Sequence, residues 1–253
     1  MGRRGCGREH PGHSIFRNGI KAAHAAGSLP LAANLISTLG YHLTNTKKPR
    51  EGLLAVRSAL TGAKNASATT RALFHERIAW AYANTGQVRQ AHQALAKVER
   101  DFARRDPDSD PEWVYWLDED EIDTMAARCF VELGEPRRAI ERLTGVVNRY
   151  DPRHIRELAL YTSWLSQAHL RSGEIEQASY YANQVAHLAA RTMSSRSDER
   201  VRVPVGDFQP FTEVGSVREL SISCTIFSSS MGNRSMPDGM YEQAHVFEGC
   251  LGL

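Results

Sequence analysis

The chain has 253 residues, 42% hydrophobic and 24% charged, which is the balance of an ordinary soluble globular protein and long enough for one sizeable core or a one-dimensional stack. Its 31 basic and 29 acidic residues leave a formal net charge of +2, which excludes a nucleic-acid surface carried by bulk charge alone. No apolar run approaches the roughly 18 residues of a membrane span. The four cysteines, Cys6, Cys129, Cys224 and Cys250, lack short paired spacing, so reduced thiols in a cytoplasmic protein are expected.

Residues 1–13 form a glycine-rich, basic leader without hydrophobic periodicity, expected to be disordered. No apolar core follows the arginines, so the leader is neither a secretory nor a twin-arginine signal. Cys6, His10 and His13 lack the four ligands and the paired spacing of a zinc site, and no metal is expected. The C-terminal Cys250–Leu253 spells a prenylation box, but glycine in its third position and the lack of an upstream basic cluster argue against it.

From Ser14, a capping residue, the spacing of Phe16, Ile20 and Ala23 predicts a helix that stops near Gly27. Pro30 opens a second helix over Leu31–Leu43 with Leu35, Ile36, Leu39 and Leu43 on one face. A polar turn, Asn45–Lys48, leads to Pro49 and a partner helix carrying Leu53, Val56 and Leu60. The small polar loop Lys64–Ser67 separates this first hairpin from a second. There Phe74, Ile78, Ala81 and Tyr82 stripe one helix, Gly86 turns the chain, and Val88, Ala91, Leu95, Val98 and Phe102 stripe the other. The loop Asp106–Pro111 then precedes Trp113, Tyr115 and Trp116, an aromatic cluster expected to pack on a neighbouring hairpin.

The third hairpin, Glu121–Tyr150, has the clearest pattern. Ile122, Met125, Ala126, Cys129, Phe130 and Leu133 face one way, Gly134 ends that helix, and Pro136 begins a partner carrying Ala139, Ile140, Leu143, Val146 and Val147. The fourth repeats the plan, with Leu158, Tyr161, Leu165 and Ala168, a turn at Gly173, then Ile175, Ala178, Ala182, Val185 and Leu188. Beyond Arg191 the pattern fades. The helical domain is expected to span 14–203, and 204–253 to be an irregular, disordered or poorly packed tail, with one short helix over Val214–Leu220.

Laid over one another, the hairpins align Lys47, Gly86, Gly134 and Gly173 at the turn, with Gly52, Ala91, Ala139 and Ala178 five residues later. Small residues are needed there because two helix backbones approach closely. The turns lie 39, 48 and 39 residues apart. A tetratricopeptide repeat (TPR) has about 34 residues and the same order of small and apolar positions. The expected fold is therefore all-α, a TPR-like α-solenoid of about four lengthened helical hairpins, with the nine-residue excess in the middle interval holding the Trp113–Trp116 cluster.

No catalytic residues are expected. His75 has no second histidine four residues away, so the metalloprotease pattern is absent, and there is no P-loop, dinucleotide glycine pattern or nucleophile elbow. The acidic run Asp118, Glu119, Asp120, Glu121 and Asp123 begins a helix, where negative charge is favoured by the exposed amides. No cofactor is implied. In stacked hairpins the first helices line the concave side, which puts Tyr41, Glu76, Trp80, Arg128 and Gln167 at or near one face. Such a face suits an extended peptide, a protein segment or a second copy of the chain, while Trp80 equally fits a plain wedge between hairpins. Arg128 is the expected outward contact of the third hairpin.

Four stretches together resemble a known group: LFHERIAWAYANTGQVRQAHQAL at Leu73–Leu95, EWVYWLDEDEI at Glu112–Ile122, ARCFVELGEPRRAIERL at Ala127–Leu143, and RELALYTSWLSQAHLRSGEIEQA at Arg156–Ala178. They are similar to the C-terminal, TPR-like regions of actinobacterial helix-turn-helix transcriptional regulators of the Xre/Cro type, and Ser194–Arg200 looks like the segment leading into that group's closing helix. The similarity spans roughly Ile15 to Arg202, and the tryptophan-rich stretch is its most specific part. It implies the sensing and assembly half of a regulator. Met1–Ser14 cannot form the DNA-reading helices that such regulators carry ahead of this region, so direct contact with nucleic acid is not expected from this chain.

Overall fold

Five left-handed residues set the architecture. Gly27, Lys47, Gly86, Gly134 and Gly173 have φ between 65° and 83°. Each follows a helix and reverses the chain in the same way. The amide of the next residue donates back to a carbonyl five residues earlier, as Gln87 does to Tyr82 at 3.0 Å and Glu135 to Phe130 at 2.9 Å. This is the Schellman closure that glycine favours because it has no Cβ to clash, and Lys47 makes it without that freedom.

The computed structural model describes residues 11–63, 65–192 and 208–217. Cys6 and His10 of the leader, Lys64, the stretch Ser194–Arg200, Cys224, Cys250 and the remaining tail lie outside the described residues. The helices are α1 (Pro11–Ala25), α2 (Leu29–Asn45), α3 (Pro49–Gly62), α4 (Ala68–Ala83), α5 (Val88–Phe102), α6 (Glu119–Glu132), α7 (Pro136–Arg149), α8 (Ile155–Arg171) and α9 (Ile175–Thr192). Pro49 and Pro136 are first in their helices, where the missing amide hydrogen costs nothing. α1 begins three residues ahead of Ser14, the cap expected from sequence.

The hairpins are α2/α3, α4/α5, α6/α7 and α8/α9, with α1 laid on α2. The first helices contact one another in the order α2, α4, α6, α8, forming a continuous inner row. The small residues after each turn are where partner helices touch, and Ala91, Ala139 and Ala178 are all fully buried. In the first hairpin the approach is closer still. A Cβ on Gly52 would lie 2.4 Å from the Gly40 carbonyl oxygen, and one on Gly40 would lie 2.8 Å from the Gly52 carbonyl oxygen. Both positions must be glycine for α2 and α3 to cross there.

One core cluster runs from Ala33 to Ala168 through Phe74, Phe130, Leu143 and Leu165. Val114, Trp113 and Trp116 pack on it, while Tyr115 stays 79% exposed. A second, smaller cluster joins Ala178 and Ala182 to Phe208 and Val217. Residues 208–217 thus lie against the last hairpin, although they fall in the stretch whose sequence has no period. Among the described residues, Phe208 and Val217 are what covers the apolar side of α9 carrying Ala178 and Ala182. Among the described residues no helix is long and apolar enough to cross a membrane.

Candidate binding groove

Tyr41, Trp80, Arg128 and Gln167 each stand six residues before their turn residue, one on each of α2, α4, α6 and α8. Stacking converts this shared register into a row across the inner helices. Arg128 lies at its centre. Its guanidinium carbon is 4.6 Å from the Trp80 ring centroid, 5.2 Å from that of Trp164 and 5.6 Å from that of Tyr41. Trp80 and Trp164 meet edge to face at 6.1 Å, and the Trp80 indole N–H donates to Asn45 Oδ1 at 2.8 Å. Three aromatic faces from three hairpins therefore surround one cation, a contact that strengthens as water is excluded. Rather than pointing outward, the Arg128 side chain is drawn into this aromatic setting.

Glu76 lies one turn before Trp80 and is 1% exposed. Burial pushes its carboxyl up to about 7, against the pull of Arg128 and Arg77. Arg77 is itself held by Ser37 Oγ at 2.9 Å and Thr38 Oγ1 at 3.0 Å, with its guanidinium over the Tyr41 ring at 5.8 Å. Glu121 on α6 is a second acid of the row, half-buried as a residue with its carboxyl turned inward to Tyr161. Burial raises it to about 7 as well, opposed by the hydroxyl of Tyr161, which donates to its carboxylate. Burial, together with that same pairing, raises the Tyr161 hydroxyl far above the ordinary tyrosine range. The inner row is thus a wall of two guanidiniums and two carboxyls in which the carboxyls are poorly solvated.

Several buried polar atoms in this wall lack a protein partner: Glu76 Oε2, Arg128 Nε, Gln167 Oε1, Thr124 Oγ1 and Thr162 Oγ1. Arg128 Nε offers a donor and Gln167 Oε1 an acceptor. Leaving such groups unsatisfied costs roughly 1–3 kcal/mol each, a cost that a polar ligand would relieve.

Of the residues singled out from sequence, the structure brings Tyr41, Glu76, Trp80 and Arg128 into one interacting group. Gln167 sits one turn beyond Trp164 on α8. Sequence reasoning missed Trp164 and Asn45 as members. The signal for Trp164 was its spacing of three from Gln167, which shares a helix face. Apart from Glu121, the acidic run caps and braces instead of converging on a site. Asp118 accepts from the Glu121 amide at 2.9 Å, Asp123 pairs with Arg142 at 2.8 Å, and Asp120 pairs with Arg149. Arg142 also reaches Glu99 at 2.6 Å, tying α5, α6 and α7 together. Among the described residues no group of three or more His, Cys, Asp or Glu side chains is placed to hold a metal ion.

No protein-family model matches the chain, and no curated protein does. Solved structures do. A Podosopora anserina protein of kinesin-light-chain type, with nearly identical TPR-like repeats, matches with a TM-score of 0.51 at 17% identity, covering 90% of this chain and all of that one. A single-residue variant of that protein matches with the same TM-score and identity over 89% of this chain and 100% of its own. At this identity the likeness shows the fold alone: the chain is an all-α, TPR-like repeat solenoid.

Proposed function

We propose that the chain is a non-catalytic interaction module whose inner helical row takes an extended peptide or protein segment. The observation that carries this reading is Arg128, ringed by Tyr41, Trp80 and Trp164 while its Nε remains without a protein partner. A peptide main chain supplies carbonyl acceptors for Arg128 and amide donors for Gln167, and its side chains pack on the aromatic faces. The resemblance of Leu73–Ala178 to the TPR-like regions of Xre/Cro-type regulators supports placing this module in transcriptional control. There it acts as the sensing half, in the cytoplasm, with DNA read by helices outside the repeat array.

The test is capture of partners from native cytosol by the wild-type chain and by Arg128→Gln, which keeps donor capacity but removes the charge. A partner held by the native chain and released by the variant supports the groove, provided both chains give the same helical circular-dichroism signal. An identical set of partners on both would remove Arg128 from recognition.

A second reading, a DNA-binding regulator acting through a helix-turn-helix not present in this chain, predicts salt-sensitive retention on DNA only when such helices are supplied.

A further inference from the structure

A separate recess of about 310 Å³ lies on another face of α4, away from Glu76 and Trp80. Helical spacing puts His75, Ile78 and Tyr82 on that face, and α3 contributes Arg57 and Leu60 while α5 contributes Lys97. The composition is one-sided. Arg57 and Lys97 are exposed cations with no ion-pair partner among the described residues, and the lining contains no carboxylate. Leu60, Ile78, Tyr82 and Ala94 supply an apolar wall beside them.

His75 is held in place from behind. Its Nδ1 lies 2.9 Å from Asp101 Oδ2, and Asp101 is in turn 3.6 Å from Arg71 Nε. A carboxylate only accepts, so Nδ1 carries the hydrogen and donates, which leaves the lone pair on Nε2, the ring nitrogen not engaged by Asp101. Burial lowers the readiness of this ring to protonate. Asp101 opposes that effect, while Lys97 and Arg71 add to it. These effects together favour the neutral ring, and an anion placed beside it favours the protonated one, so that binding would bring a proton onto Nε2 and a third cation to the anion.

We propose that this recess binds a small organic anion, a phosphomonoester or carboxylate, with its charged head between Arg57, Lys97 and His75 Nε2 and its apolar body on Leu60, Ile78 and Tyr82. The volume is at the small end for ligand sites, which fits a body of one ring or a short chain. Three independent features agree on this class: unpaired cations, an oriented imidazole, and a hydrophobic wall at one recess. The site is distinct from the inner row and stands whether or not that row binds peptide.

The experiment is an NMR titration of the full chain at fixed ionic strength, following the His75 ring signals with phenyl phosphate, benzoate, phenol and phenyltrimethylammonium. Saturable movement toward the protonated position is expected with phenyl phosphate, benzoate or both, and the tighter of the two identifies the head group. The Arg57→Gln, Lys97→Gln double variant is expected to weaken binding about tenfold for each cation removed, with thermal unfolding unchanged since both side chains are exposed. The proposal is overturned if phenol or the quaternary ammonium moves His75 as far as the anions do. It also fails if neither anion moves His75 in the native chain, or if the double variant binds as tightly as the native one.

Discussion

Lys47 is the non-glycine residue held in the left-handed region among the described residues, at a turn where the other hairpins use glycine. A Cβ in that conformation costs on the order of 1 kcal/mol, partly offset by the greater freedom glycine has when unfolded. Lys47→Gly is expected to raise the unfolding free energy measured in urea, and Gly134→Ala to lower it, by up to about 1 kcal/mol in each case. No change in either would mean that this turn relaxes without cost. A larger effect sits in the wall of the inner row. Glu76 and Glu121 are held near 7 by burial, against 4.5 ordinarily. Between these values the folded chain keeps protons that the unfolded chain has released, so this contribution favours folding at low pH and is lost as pH rises through about 7. For a fully buried carboxyl the effect is at most roughly 3 kcal/mol. Glu76→Gln is therefore expected to narrow the gap in melting temperature between pH 5 and pH 8 relative to the native chain. An unchanged gap would show that Arg77 and Arg128 keep Glu76 ionised throughout.

Among elements, the α2/α3 pair depends most tightly on its residue types. Gly40 and Gly52 face each other with no room for a Cβ on either side, and a methyl on Gly52 would also meet Thr44 Oγ1 at 2.3 Å. Since backbone atoms block the space, the helices must separate to admit it. Gly52→Ala is expected to destabilise the first hairpin by about 2–3 kcal/mol, seen as faster amide exchange in α2 and α3 than in α6 and α7. Equal protection in all four helices would indicate that the array unfolds only as a whole. The alignment of turns pointed to Gly52 as a small-residue position, but Gly40 gave no such signal, because its partner is twelve residues away across a turn.

For the whole molecule, the four described hairpins form an array flanked on both sides. α1 packs on the first hairpin through Phe16, which is 1% exposed, and residues 208–217 pack on the fourth through Phe208 and Val217. Stability in such arrays is close to a sum over repeats and their interfaces, so loss of a cap is felt most by its neighbour. Phe208→Ala is expected to cost about 3 kcal/mol at the terminal hairpin, raising amide exchange and protease cleavage in α8 and α9 while leaving α4 and α5 protected. Uniform loss of protection across the array would instead show one cooperative unit. The cap was hard to read in advance: two apolar residues nine apart have no period, and their partners Ala178 and Ala182 belong to a helix already accounted for.

The hairpins and their turns were legible in the sequence because local chemistry dictates them. Glycine after a helix, proline at its start and an apolar stripe at helical spacing act within a few residues of each other, and the turn register placed Tyr41, Trp80, Arg128 and Gln167 in one row from spacing alone. What only the tertiary structure decided was the environment of those side chains. Arg128 meets Trp80 from 48 residues away and Trp164 from 36, and Glu76 loses its water only when α4 and α6 close over it. Solvation, charge and partner choice depend on atoms brought together by stacking, and periodicity along one helix cannot specify them.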